Sequence, residues 1–379
     1  MSRLVTVNSG ILYANPDPAH RHVSAFFPNV VQLSGQELLC LHQLGDGMYA
    51  ANSRIGLMRS QDGGETWVEG GLLRDAAFDD RPYSYHGTFI SRMSDGTLAA
   101  CPFRADRSDP EQPFFSEAGG LIANEPLLFT SHDDGRSWSG PTVMRLPDAR
   151  LATPSQSIIE LHDGSWMATF DEWAAFGDPG PYQPRMIGLF SNDRGQTWTD
   201  RTVMADGSAE GKGFWHGRAI RLADQRLFAL LWAADMTDHS HGPVDLPIHY
   251  AYADRAGRSW ERPRPTNLPG QTNCVAEMPD GRLAAIYTLR ESETPGFMVV
   301  LSADGGQTWD LAQQTRVWDA TGWTHIGFDR PGRYPRSHDT IAFGAPSLIM
   351  MRSGELLATW WCALASLTHT RWARLRVDD

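Results

Sequence analysis

The sequence has little cysteine, no long apolar run and no excess of positive charge. Four cysteines, Cys40, Cys101, Cys274 and Cys362, stand in 379 residues, and none forms a Cys-x-x-Cys pair. Three of them end or follow apolar runs (ELLC, LAAC, WWC), which predicts buried, reduced thiols. No stretch of 18 apolar residues occurs, so no membrane-spanning helix is expected. The N-terminal MSRLVTVNSG has no charged segment followed by an apolar stretch and a cleavage site. A cytoplasmic protein without a secretory leader is therefore expected. The net charge is −12, which argues against general affinity for nucleic acid or an anionic membrane. The 33 Lys plus Arg still suffice for a local basic pocket. Hydrophobic residues at 41% and charged residues at 21% are an ordinary globular balance, in a chain long enough for a large core.

Two short patterns recur. The first, S-x-D-x-G-x-[ST]-W, occurs at Ser60–Trp67, Ser131–Trp138, Ser191–Trp198 and Ser302–Trp309. A worn copy, ADRAGRSW, runs from Ala253 to Trp260, with Ala253 at the Ser position and Arg255 at the Asp position. The mean step between these tryptophans is about 60 residues, the signature of a repeat architecture. The second pattern is an apolar run, a turn and another apolar run: LSGQELLC at 33–40, MSDGTLAA at 93–100, LHDGSWMA at 161–168, LADQRLFA at 222–229, MPDGRLAA at 278–285 and MRSGELLA at 351–358. Asp-Gly between β-rich runs signals a hairpin.

Each unit reads as four strands, A to D. The hairpin joins A to B, and the S-x-D-x-G box joins C to D. In the box, Asp accepts backbone N–H groups, Gly supplies a positive φ and Trp packs between sheets, so these aspartates are structural. The sixth unit has no box, and the chain stops after TRWARLRV. The N-terminal segment 3–14, with LVTV and ILYA, is expected to supply the missing outer strand and close the ring. The expected fold is all-β: a six-bladed propeller over residues 1–379, with four antiparallel strands per blade.

In that order of strands the A–B and C–D turns share one rim. The long, irregular B–C and D–A connections share the other: 104–125, 172–185, 233–248 and 317–343. Long loops on a rigid scaffold carry function, so the site is sought there. Histidines precede strand A at His22, His86, His216 and His338. Carboxylates follow strand B at Asp46, Asp171, Glu172, Asp235 and Glu291. Arg104, Arg107, Arg185, Arg218 and Arg290 fall on the same rim, as do Tyr85, Trp173, Trp215, Trp232 and Trp361. Arginine pairs with a carboxylate, aromatic faces pack on sugar faces and a carboxylic acid protonates a leaving glycosidic oxygen. The expected ligand is a sugar or a sugar acid.

Over nearly its whole length the chain resembles the sialidase superfamily of Asp-box, or BNR-repeat, proteins. The resemblance implies the propeller fold and a carbohydrate-active enzyme. It also implies three carboxylate-binding arginines, a Tyr–Glu nucleophile pair and an Asp acid/base. Arg290, in LAAIYTLRE, stands where the family carries an arginine after strand B. The other positions depart from the pattern. Phe26 or Phe27 stands for the first arginine, Thr272 or Asn273 for Glu, and Ala345 or Pro346 for Tyr. In GFWHGRAIRL, His216 and Arg218 are inserted into the family scaffold, and Asp46 is a loose match to the acid/base.

Four functions fit these residues. The first is a glycoside hydrolase in which two of Asp46, Asp171, Glu172, Asp235 and Glu291 act as acid and base, their separation setting the stereochemical course. In that reading Arg104, Arg218, Arg290, His86, His216, His338, Gln156, Trp215 and Trp232 hold the substrate. The second is a true exo-sialidase. The third is a metal-assisted uronate lyase in which His86, His216 and His338, with Gln156 nearby, hold a divalent cation. The fourth is a carbohydrate-binding propeller without catalysis.

Overall fold

The computed structural model describes residues 2–75, 77, 79–146, 151–179, 183–237, 243–321, 341–364 and 367–378. The first strand, β1 (Arg3–Tyr13), does not pair with the strand that follows it. Blade one is β2 (Ser24–Gln32), β3 (Leu38–Gly45), β4 (Arg54–Ser60) and β5 (Val68–Leu72). Blade two is β6 (Tyr83–Arg92), β7 (Leu98–Asp106), β8 (Asn124–Ser131) and β9 (Ser139–Val143). Blade three has a divided inner strand, β10 (Leu151–Pro154) and β11 (Ile159–Glu160), then β12 (Trp166–Trp173), β13 (Arg185–Ser191) and β14 (Asp200–Ala205). Blade four is β15 (Lys212–Arg221), β16 (Leu227–Asp235), β17 (Val244–Ala253) and β18 (Arg264–Pro265). Blade five is β19 (Asn273–Glu277), β20 (Leu283–Leu289), β21 (Gly296–Ser302) and β22 (Thr315–Asp319). Blade six is β23 (Phe343–Met350), β24 (Leu356–Leu364) and β25 (Leu367–Asp378), with β1 as its outer strand. The six-bladed, all-antiparallel propeller expected from the repeats is what forms. No helix of the described residues is long and apolar enough to cross a membrane.

Each repeat pattern maps to one device. In all six A–B hairpins the residue opening the turn donates its N–H to the carbonyl four residues on: Leu33 to Glu37, Met93 to Thr97, Leu161 to Ser165, Leu222 to Arg226, Met278 to Arg282 and Met351 to Glu355, at 2.8–2.9 Å. In the box at Ser191–Trp198, the Asp193 carboxylate accepts from the Thr197 hydroxyl and N–H and from the Ser191 hydroxyl. Those bonds, led by the Thr197 hydroxyl, pull its pKa down to about 2. The worn copy works differently from its sequence alignment. Asp254, not position 255, accepts the N–H groups of Arg258 (2.8 Å) and Ser259 (3.2 Å), and Trp260 still donates to the Gly257 carbonyl at 3.0 Å. The carboxylate has moved one residue toward the N-terminus and the turn has kept its bonds.

Six of the core clusters lie between blades. Each box tryptophan packs against the preceding blade: Trp67 between blades six and one, Trp138 between one and two, Trp198 between two and three, Trp260 between three and four, and Trp309 between four and five. The interface of blades five and six has no box tryptophan. Leu4 of β1 and Trp360, both 1% exposed, fill it. The ring closure thus supplies both an outer strand and a core residue.

Gly195 shows how tightly a box is seated. Its φ is +86°, and a Cβ there would lie 2.2 Å from Leu128 Cδ2. We expect Gly195→Ala to cost about 2 kcal/mol or more, from the left-handed backbone and the overlap together, measured by urea unfolding.

Candidate functional site

Four inner strands break register at the same step. The irregularities lie between Phe26 and Asn29, His86 and Phe89, Trp215 and Arg218, and Gly344 and Ser347. A bulge of this kind re-aims a side chain. In each, one residue is left-handed: Phe27 (φ 53), Gly87 (φ 76), His216 (φ 46) and Ala345 (φ 44). All four line one cavity of about 140 Å³ at the ring's centre. Three of them are not glycine, so the backbone stores strain where it meets the cavity, as functional sites do.

His216 is tied to a buried carboxyl behind the cavity. Its backbone N–H donates to Asp171 Oδ1 at 3.0 Å, and its ring Nδ1 lies 3.3 Å from Asp171 Oδ2. One carboxyl group therefore holds the backbone turn and stands beside the ring. Asp171 is fully buried on β12, and burial pushes its pKa up to about 7, against the His216 N–H and the Arg218 charge, which lower it. Trp232 stacks on the His216 ring at 5.8 Å and on Trp215 at 5.1 Å.

Arg290 follows β20 and reaches the same cavity. Its backbone N–H donates to Gln271 Oε1, and its Nε donates to the Phe343 carbonyl, each at 3.3 Å. Asp245 ties the wall together: it accepts the Trp232 indole N–H at 2.7 Å and the Gln271 amide at 2.6 Å. Burial lowers the Arg290 pKa to about 10, so it is a cation at neutral pH. Arg218 lies deeper, with its guanidinium 4.6 Å from the Phe89 ring. Among the described residues neither arginine is in a salt bridge. The opposite wall is aromatic. Tyr49 stacks on Phe114 at 4.6 Å and meets Phe115 edge-on at 5.0 Å. Trp173 and Phe115 join across blades three and two, where Leu121 bridges to Ala175.

Of the residues expected at the site, His86, His216, Arg218, Arg290 and Trp232 line the cavity, and Asp171 stands directly behind His216. Trp173 and Trp361 line it too; the remaining residues are placed elsewhere. Glu172 is held by Arg185 and Arg201. Asp235 accepts the Thr237 hydroxyl and N–H in a turn. Asp46 and Glu291 are exposed and do not line the cavity. Arg104 pairs with Glu125 at 2.6 Å and covers Tyr83. Trp215 is buried behind Trp232, and Gln156 faces the ring axis rather than the cavity. His338 lies outside the described residues.

Among the described residues the donors at the cavity do not suit a divalent cation. His86 is buried and held neutral, its pKa lowered to about 3 by burial and by Arg107. Both its ring nitrogens are engaged, Nδ1 with Gln43 Oε1 at 3.2 Å and Nε2 with Ser84 Oγ at 2.8 Å. Among the described residues no group of three His, Cys, Asp or Glu is placed to hold a metal ion. All four cysteines are free, and three are fully buried.

Sequence reasoning missed Tyr49, Asp245, Gln271, Phe114 and Phe115. A signal for the bulges was present: Phe-Phe-Pro, His-Gly-Thr, His-Gly-Arg and Gly-Ala-Pro all recur at the start of strand A. At the positions where the sialidase pattern has Arg, Glu and Tyr, Phe27, Thr272 and Ala345 line the cavity.

A family model described as a BNR repeat-like domain matches residues 170–322. No curated protein matches the chain. Among solved structures, a protein of unknown function from Dyadobacter fermentans DSM 18053 is similar over 99% of both chains, at 15% identity and a TM-score of 0.75. An α-L-arabinanase of Penicillium chrysogenum is similar over 98% of both chains, at 12% identity and a TM-score of 0.66. The Hadza microbial sialidase Hz136 is similar over 93% of this chain and 65% of its own, at 15% identity and a TM-score of 0.63. The chain is a divergent six-bladed propeller with the sialidase-like fold, carrying a BNR repeat-like region over residues 170–322.

Proposed function

We propose that the protein cleaves a glycosidic bond in a carbohydrate that carries a carboxylate. The observation behind this reading is the cavity's polar content: an anchored His216–Asp171 pair and the cation Arg290, set against an aromatic wall. Arg290, with Arg218 on the cavity wall, receives the carboxylate. His216 transfers the proton at the reacting bond. Asp171 is the positioning residue: it holds the His216 backbone turn and lies against the ring from behind. Trp232 and the Tyr49–Phe114 wall give the sugar apolar faces to pack on. Hydrolysis is the course supported by the names of the similar structures, an arabinanase and a sialidase.

A second course, elimination beside the carboxylate, has its own support. Among the described residues no Asp or Glu side chain lines the cavity. Hydrolysis by paired carboxylates needs two. Elimination needs one base and a cation on the carboxylate. The C–H proton next to the carboxylate passes to His216, its electron pair forms a C=C bond, and the C–O bond breaks with its electrons leaving on oxygen, which takes up a proton. Product analysis separates the two: elimination leaves an ultraviolet-absorbing unsaturated sugar acid, and hydrolysis does not.

Arg290→Met is expected to raise KM for an acidic oligosaccharide about 10–100-fold, the loss of one charge-assisted contact, with a smaller effect on kcat. An unchanged KM would remove Arg290 from carboxylate recognition.

A further inference from the structure

The ring axis holds a second space, of about 520 Å³, which meets the site cavity at Arg218. In a chain of net charge −12, its charged lining is Arg92, Arg218, Arg221 and a single carboxylate, Glu160. Glu160 is already engaged, accepting the Ser94 N–H at 2.6 Å and the Ser94 hydroxyl at 2.8 Å. Arg92 lies 3.9 Å from Asp134 and Arg221 is exposed, so Arg218 is the buried cation of this wall with no salt bridge among the described residues.

Two buried donors face this space. Gln156 is 5% exposed, and its Oε1 accepts the Ala219 N–H. That bond fixes the amide's orientation, because a backbone donor requires the oxygen and not the nitrogen. Gln156 Nε2 is thereby turned away, and it has no hydrogen-bond partner among the described residues. Arg218, the neighbour of Ala219 in the chain, is 8% exposed. Its contact among the described residues is the face of Phe89. A buried amide N–H without an acceptor is costly, and an anion that accepts from it while meeting the Arg218 charge is favoured. The Asp171 carboxyl, whose charge also acts on Arg218, gives one oxygen to the His216 N–H and makes no salt bridge with Arg218.

We propose that the axial channel binds a small monovalent anion of the halide class on the Arg218 guanidinium and Gln156 Nε2. The anion neutralises Arg218 from the channel side. A halide accepts from both donors and carries no proton of its own to place.

The test uses the full chain. Thermal unfolding in sodium bromide is compared with sodium gluconate at equal ionic strength, and crystals grown in bromide are measured for anomalous scattering. Wild-type protein should gain about 1–3 °C in bromide, saturating with concentration, as linkage to a bound ligand requires. The anomalous peak should sit between Arg218 and Gln156. Gln156→Glu places a carboxylate beside Arg218, so the peak and the bromide dependence should both vanish. A wild-type protein with equal midpoints and no axial peak, only water, would overturn the proposal. So would bromide dependence that persists in folded Gln156→Glu. The wild-type crystal decides the matter if that variant does not fold.

Discussion

His216→Asn should lower kcat by about 10²–10⁴-fold, the usual worth of a positioned acid/base, with little change in KM. Asparagine is the chosen replacement because His216 is left-handed (φ 46) and Asn tolerates that conformation better than other side chains. The backbone N–H to Asp171 is kept, so the bulge and the cavity wall should persist. A circular dichroism spectrum and thermal midpoint close to wild type would confirm that only the imidazole was lost. Retention of kcat within about threefold would take His216 out of the chemistry, since general acid/base groups are worth far more than that.

The second large effect is on stability. In the folded protein Asp171 has its pKa pushed up to about 7 from an ordinary 3.8, with burial as the main cause. Below pH 4 the carboxyl is protonated in both folded and unfolded chains and costs nothing. Between about pH 4 and 7 the unfolded chain has released the proton while the folded chain retains it. Stability therefore falls as pH rises through this window, and the penalty is complete above about pH 7. A shift of roughly three pH units corresponds to a penalty of about 4 kcal/mol. Asp171→Asn does not titrate, and its oxygen still accepts the His216 N–H. The stability of Asp171→Asn relative to wild type should rise by about 4 kcal/mol between pH 4 and pH 8, measured by urea unfolding at both. A difference independent of pH would show that the wild-type carboxyl titrates normally in the folded state.

The fold was largely legible because its signals are local. An Asp-Gly hairpin and an S-x-D-x-G box each satisfy their own backbone groups, so their residue types are fixed within eight positions. Four boxes and six hairpins then imply the ring. The outer strand taken from the N-terminus followed from the missing sixth box, and β1 pairs with β25 along its length. In the worn box Asp254 does from one residue earlier what Asp does in the intact copies.

The site was legible as a rim and not as a set of contacts. Asp171 and Glu172 are adjacent, and a strand sends adjacent side chains to opposite faces. One anchors His216 and the other is held by two outer arginines. Nothing within the local sequence distinguishes them without the register of β12. Asp235 looked alike, yet its carboxylate closes a turn with Thr237. The aromatic wall comes from an irregular loop, where Phe114 and Phe115 obey no period and meet Tyr49 only through tertiary packing. Asp245 is equally silent in sequence, since its role is to tie Trp232 to Gln271.

The most direct measurement is bond cleavage on matched substrates: an acidic oligosaccharide and the same oligosaccharide with its carboxylates reduced to alcohols, each with wild-type, His216→Asn and Arg290→Met protein. The account predicts cleavage of the acidic form by wild type, at least about tenfold slower turnover of the reduced form, and loss of cleavage in His216→Asn. Equal cleavage of both forms, or full activity in His216→Asn, would contradict it.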